Sequence, residues 1–190
     1  MQEEVDYERL VENISDFSIN SISEINTSAL KVGTAYHLIM ENLTYKENLM
    51  DIVDLMADLE LSGKIDKESL RYINAEKIYN AVLAINSLKP TSIKKEVQFL
   101  LNVPYNKVVE NSDIEDKVLI QGVVDLILET EEGTIIVDFK TNRNCSEEFL
   151  INHYYLQLNI YKDAVEKAFG KKVGKRYIYS FELKKLIEII

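Results

Sequence analysis

The clearest alternation of apolar and polar positions lies between Gln121 and Asn142, where two Val- and Ile-rich runs flank Glu131-Glu132-Gly133. Neither run contains proline and the break offers a glycine, so the stretch predicts a β-hairpin. With Glu131 and Glu132 at the tip, Asp125 stands opposite Asp138, and the period of two puts Lys140 on the face of Asp138. Upstream, Lys94 to Val103 predicts a strand with Glu96, Gln98 and Leu100 on one face and Val97, Phe99 and Leu101 on the other. Helical spacing appears first from Ala29 to Leu43, where Ala29, Val32, Tyr36, Ile39, Met40 and Leu43 form one stripe and His37 lies beside it. Residues 47 to 88 predict two amphipathic helices. One carries Leu49, Ile52, Val53, Met56 and Leu59 and breaks at Ser62-Gly63; the other opens at Asp66, runs through Leu70, Tyr72, Ile73, Ile78, Val82 and Leu83, and stops before Pro90. A later helix runs from its N-cap Ser146 to Phe169, with Gly170 at its end and Leu150, Tyr154, Tyr161, Ala164, Val165 and Ala168 inward. Gln157 falls inside that stripe. Two strands are expected over 174–183 and 184–190, a polar loop over 104–116, and a loosely held acidic lead-in over 1–26.

Composition narrows the class. An apolar content of 46% with two prolines and six glycines in 190 residues describes a folded globular chain, one domain of residues 27–190 carrying a helical insertion at about 46–89. No membrane-length apolar run or cationic leader is expected, which makes the cytoplasm the default compartment. A lone cysteine, Cys145, excludes an internal disulfide framework and an iron-sulfur cluster built on several thiolates. The formal net charge of −10 argues against a free-standing tight DNA binder. Cations nevertheless gather at Lys171, Lys172, Lys175, Arg176, Lys184 and Lys185, and Ile190 falls inside a strand pattern, as in a piece of a longer protein.

The candidate chemistry sits on the hairpin. Two carboxylates opposed at about 5 Å repel one another, and more strongly in a dehydrated cleft, unless a cation lies between them. Hard oxygen ligands of this kind suit Mg²⁺ or Mn²⁺, and a phosphodiester is the usual substrate of such a site. Lys140 then holds a phosphate or helps a water lose its proton. The plain alternative is a hairpin whose charges simply face solvent. Glu96 reads either as a third carboxylate or as a solvated charge. His37 reads as a metal ligand brought close by the bare backbone of Gly33, or as a histidine at the core's edge. Gln157 either bridges backbone groups or points into a site beside the hairpin.

Taken in order, the segments GTAYH ending at His37, EVQF from Glu96, GVVD ending at Asp125, DFKT from Asp138 and YYLQLNIY from Tyr154 to Tyr161 resemble the PD-(D/E)XK nuclease domain of the RecB family. The likeness is greatest to the C-terminal nuclease domain of AddA proteins, components of bacterial ATP-dependent helicase-nucleases, and runs from about Ala29 onward. The resemblance implies a restriction-endonuclease-like α/β fold, αβββαβ, with a central mixed sheet flanked by helices. It implies that His37, Asp125, Asp138 and the backbone carbonyl of Phe139 ligate Mg²⁺, with Mn²⁺ or Ca²⁺ as substitutes. Glu96 supports the metal and its waters, Lys140 is the catalytic lysine, and Gln157, Tyr161 and Tyr154 complete the site near the DNA. The implied activity is exonuclease-type cleavage of single-stranded DNA during double-strand break processing, alongside a helicase portion of the same polypeptide and an AddB-like subunit. Two departures are visible. The four cysteines of iron-sulfur relatives are missing, and no G-x-x-x-x-G-K-[ST] loop occurs in these residues. The competing classes are a non-catalytic nuclease-fold module that docks a partner or guides DNA, and a stand-alone nuclease acting on RNA or flaps.

Overall fold

The computed structural model describes residues 27–105 and 116–190; the expected lead-in over 1–26 and the loop residues 106–115 lie outside the described residues. The chain opens with α1 (Thr27–Asn42), continues through the short helices α2 (Leu49–Leu61), α3 (Lys67–Leu70) and α4 (Ala75–Ser87), and enters the sheet through β1 (Ser92–Pro104), β2 (Lys117–Thr130) and β3 (Gly133–Lys140). Helix α5 (Glu147–Phe169) then crosses to β4 (Val173–Ser180), and β5 (Lys185–Glu188) closes the described chain. The strands lie in the order β1-β2-β3-β4-β5, antiparallel except for the β3–β4 pair. A parallel pair needs a crossover connection, and α5 is that connection. This is the expected mixed-sheet, restriction-endonuclease-like α/β arrangement. Among the described residues no helix is long and apolar enough to cross a membrane.

Each face of the sheet has its own core. Leu126, Leu128, Ile135, Val137 and Phe139 pack with Ile39, Met40 and Leu43 of α1 and with Ile78 and Val82 of α4. Val124, Ile127, Ile136 and Ile178 pack with Leu150, Leu158 and Tyr161 of α5. The β2–β3 register is the one expected, running from Thr130 opposite Gly133 to Leu126 opposite Val137. Both faces are buried there, and a one-residue slip would drive Asp138 into the α1 core, so the register is strongly specified.

Two helical expectations need correction. The second insertion helix is two helices, because Asp66 caps α3 through the Ser69 amide while Asn74 caps α4 through the amides of Glu76 and Lys77. A side chain that satisfies a helix's first amides sets a new N-terminus where the apolar spacing alone reads straight through. Tyr72 is consequently left 53% exposed between them, and Leu83 is 49% exposed. On α2 only Ile52 and Leu59 are buried, whereas Leu49 and Val53 face outward. Helix α5 keeps the predicted caps, with the Ser146 hydroxyl accepting from the Phe149 amide and Gly170 left-handed at φ 65°. Its expected inward residue Ala168 is exposed, since the last turn runs beyond the core.

Candidate active site

The site forms where two long strands change sides. β1 and β2 keep one register from Ser92 opposite Glu129 to Pro104 opposite Lys117, interrupted only between Lys95 and Val97, where Glu96 faces Asp125. Glu96 has φ +48°, a left-handed conformation uncommon for a residue with a Cβ. One consequence is a reversal of the pleat. Ile93 packs with the α1 core, yet Val97, four residues on, packs with α5. On β2, Leu126 packs with the α1 core and Val124 with α5, although two-residue spacing should place them together. The expected alternation through Glu96 therefore fails, while Gln98 and Leu100 stay together on the exposed side. The strained residue is clamped by its neighbour: Lys95 Nζ donates to the backbone oxygens of Glu41 and Leu43, capping the C-terminus of α1.

At this switch the donor atoms converge. One ligand atom each from His37, Glu96 and Asp125 lies within 4.8 Å of the others. His37 Nδ1 stands 3.4 Å from Asp125 Oδ1, and the Phe139 amide donates to Asp125 Oδ2 at 2.7 Å. Helix α1 comes close because Gly33 has no side chain; a Cβ there would meet Thr141 Oγ1 at 3.2 Å. Asp138 lies outside this trio. Its Oδ2 sits 3.1 Å from Lys140 Nζ, an ion contact without hydrogen-bond alignment, and is otherwise buried without a partner among the described residues. Lys140 in turn rests 4.0 Å above the Tyr154 ring, whose hydroxyl donates to Asn142 Oδ1 at 2.9 Å. Gln157 Nε2 donates to the Tyr161 hydroxyl at 3.1 Å, so this amide does not bridge the backbone, and its buried Oε1 has no partner among the described residues. The structure thus brings together His37, Glu96, Asp125 and the Phe139 peptide, places Asp138 with Lys140 and Tyr154, and sets Gln157 and Tyr161 together on α5.

The electrostatics reflect crowded acids. Burial opposes ionisation of Asp125, but His37 and the Phe139 amide outweigh it and hold the carboxyl below its usual range. Asp138 is pushed up to about 6 by burial and by the Asp125 charge, which Lys140 offsets only in part. Burial and then Asp125 push Glu96 up to about 7. Burial disfavours a charged His37, yet the two aspartates prevail and raise it to about 9. Lys140 is also raised despite burial, chiefly by Asp138, and so stays an ammonium at neutral pH. Tyr161 is raised by burial and then by Asp138 and Asp125, which shows how near the α5 pair lies to the acids.

These residues fit a hard divalent cation. The donor set is one imidazole and oxygen ligands, the Asp138 oxygen lacks a hydrogen bond, and two carboxyls are costly to ionise in the absence of positive charge. Three features were not foreseen from the sequence. Glutamate gives no signal of a left-handed backbone, and the capping role of Lys95 depends on a helix end 52 residues away. Tyr45, buried at φ 66° and raised by burial and the nearby Asp125 and Glu96 charges, sits just past the α1 stripe, where its aromatic character was the available hint.

Comparison with known proteins agrees with this geometry. The AddA-type ATP-dependent helicase/nuclease protein of Listeria welshimeri is 31% identical over 176 residues, which covers 85% of this chain and 14% of that protein. The protein of the same name from Ligilactobacillus salivarius is 32% identical over 187 residues, covering 94% of this chain and 15% of that protein. The chain therefore spans about one seventh of the length of these curated relatives. The sequence model of the PD-(D/E)XK nuclease superfamily matches residues 9–188, nearly the whole chain, and the chain belongs to that superfamily.

Proposed function

We propose that the chain is a Mg²⁺-dependent DNA phosphodiesterase acting on single strands, the exonuclease-type module of a cytoplasmic helicase-nuclease that processes double-strand breaks. The observation that carries this reading is the convergence of His37, Glu96 and Asp125 within 4.8 Å beside the Asp138–Lys140 pair. The nuclease unit is taken as residues 27–190, with the helices between about 46 and 89 as an insertion. Relatives named as helicase/nuclease components, about seven times longer than this chain, support a motor portion in the same polypeptide. An AddB-like second subunit belongs to the same proposal.

His37, Asp125 and Asp138 would hold the cation, with the Phe139 carbonyl as a further ligand and Glu96 supporting its waters. When bound, the cation acidifies a water and neutralises charge on the phosphate. The chain's own groups do the rest. Lys140 keeps its proton and presents it to a phosphate oxygen, a preorganised charge whose position is fixed from below by the Tyr154 ring. The Phe139 amide and His37 keep Asp125 ionised. Gln157 Oε1, with no partner among the described residues, is available to a donor on the substrate or a water.

The test is end-labelled single-stranded DNA incubated with the parent, Asp138→Ala or Lys140→Ala, with Mg²⁺ or chelator. The reading expects cleavage only by the parent and only with the ion, and mutant stability within about 2 kcal/mol of the parent. Equal cleavage by mutant and parent would remove the site assignment. Labelled RNA in a parallel incubation decides between DNA and RNA.

A further inference from the structure

Beside the metal-ligand cluster lies a cavity of about 900 Å³ that joins catalytic and non-catalytic residues. One part of its wall is His37, Phe139 and Lys140; another is Tyr72 and Lys77 of the helical insertion, together with Arg143. Its floor is aromatic, with the Tyr36 ring 4.4 Å from that of Phe181. Lys77 is committed to Glu182 at 3.3 Å. Arg143 is exposed and makes no ion pair among the described residues, and its charge lowers the proton affinity of the Tyr36 hydroxyl, so it acts on this cavity. Tyr72 is 53% exposed because the two caps described above interrupt the helix at that point.

Resting on the nuclease reading, we propose that this cavity is the subsite for the nucleotide next to the scissile phosphate, with Tyr72 stacking on its base and Arg143 pairing with its phosphate. A flat aromatic side chain on the wall and an exposed guanidinium at the same cavity are the two groups a single-stranded nucleotide recruits, and an exposed base face is what a duplex withholds. The insertion thereby becomes the wall that selects single strands. It also accounts for a polar, tyrosine-bearing link between α3 and α4 where apolar spacing alone would have continued one helix.

The experiment measures binding and cleavage separately on the full chain. Fluorescently labelled single-stranded DNA is titrated in Ca²⁺ with the parent, Tyr72→Ala, Tyr72→Phe and Arg143→Ala, and the same proteins are assayed for cleavage in Mg²⁺. The expectation for Tyr72→Ala is a Kd and KM about five- to 150-fold higher, with kcat nearly unchanged, and rescue by Tyr72→Phe. Arg143→Ala is expected to weaken binding and reduce the slope of log affinity on log salt by about 0.7. A strand with an abasic nucleotide beside the scissile bond should bind Tyr72→Ala and the parent equally. Weakened binding in both alanine variants with no cleavage by the parent would leave the subsite standing and overturn the nuclease reading. Metal-dependent cleavage by the parent with unchanged Kd and KM in both variants would overturn the subsite alone, as would a parent that binds no single-stranded DNA.

Discussion

Replacing Glu96 by glycine isolates the strain that builds the site. At φ +48° any residue with a Cβ is disfavoured, by roughly 1–2 kcal/mol relative to glycine. In an ordinary strand glycine is the worse residue, destabilising by about 0.5–1 kcal/mol relative to alanine. Position 96 should therefore invert the usual order, with Glu96→Gly more stable than Glu96→Ala by roughly 0.5–1 kcal/mol once the two effects are subtracted. Gln98, exposed on the same strand and paired regularly with Val123, is the control at which alanine should win by its ordinary margin. The quantity to measure is the difference between the two sites, about 1–2 kcal/mol, in urea unfolding of the four variants with chelator present. With a slope of about 2 kcal/mol per molar, that is about 0.5–1 M in midpoint. Both Glu96 variants should lose cleavage, because the carboxylate is gone in each. If alanine is as favourable as glycine at 96, the left-handed residue stores no strain and the pleat reversal has some other origin.

Other consequences can be measured on the same protein. Glu96, Asp138 and His37 are all raised in the fold, to about 7, 6 and 9, above their unfolded values near 4.5, 3.8 and 6.5. Each therefore stabilises the metal-free protein below its unfolded pKa, and that contribution is lost as pH rises through the folded one. Stability in chelator should fall between pH 5 and 9 relative to a His37→Gln, Glu96→Gln, Asp138→Asn variant; a parallel pH profile would contradict the shifts. Added Mg²⁺ or Mn²⁺ should stabilise the parent by about 2.7 kcal/mol at one hundred times Kd, and Asp125→Asn should abolish most of that gain in thermal melts. Tyr154→Leu should lower cleavage about five- to thirty-fold through loss of the ring beneath Lys140, while Tyr154→Phe keeps it within about threefold. Equal loss in both variants would shift the role from the ring to the hydroxyl contact with Asn142.

Much of this was legible in the residues because it follows from local periodicity. The hairpin register was set by two apolar runs and a glycine turn, and it holds because both sheet faces are buried around Ile136 and Val137. Ser146 and Gly170 marked the ends of α5 through the ordinary chemistry of caps. What periodicity missed arises where a local rule is broken by tertiary contacts. Asn74 ends a spacing pattern that continues in the sequence, and Glu96 adopts a backbone that glutamate does not advertise, held by Lys95 on the end of α1. The same break explains why Asp138 lies with Lys140 and outside the tight trio: β2 stops pairing with β3 at Leu126, and the two aspartates stand where the strands part. Sequence spacing placed the acids opposite one another, and only the departing strand shows how far each turns toward its own partner.

The central claim is that His37, Glu96, Asp125 and Asp138 enclose a single divalent ion. Anomalous diffraction from crystals of the parent grown with Mn²⁺ tests it most directly. The account predicts a strong peak among these side chains, about 2.1 Å from a His37 nitrogen and an Asp125 oxygen, that disappears in Asp125→Asn. A Mn²⁺ peak bound elsewhere on the chain, with these four side chains left in their metal-free contacts, would contradict it.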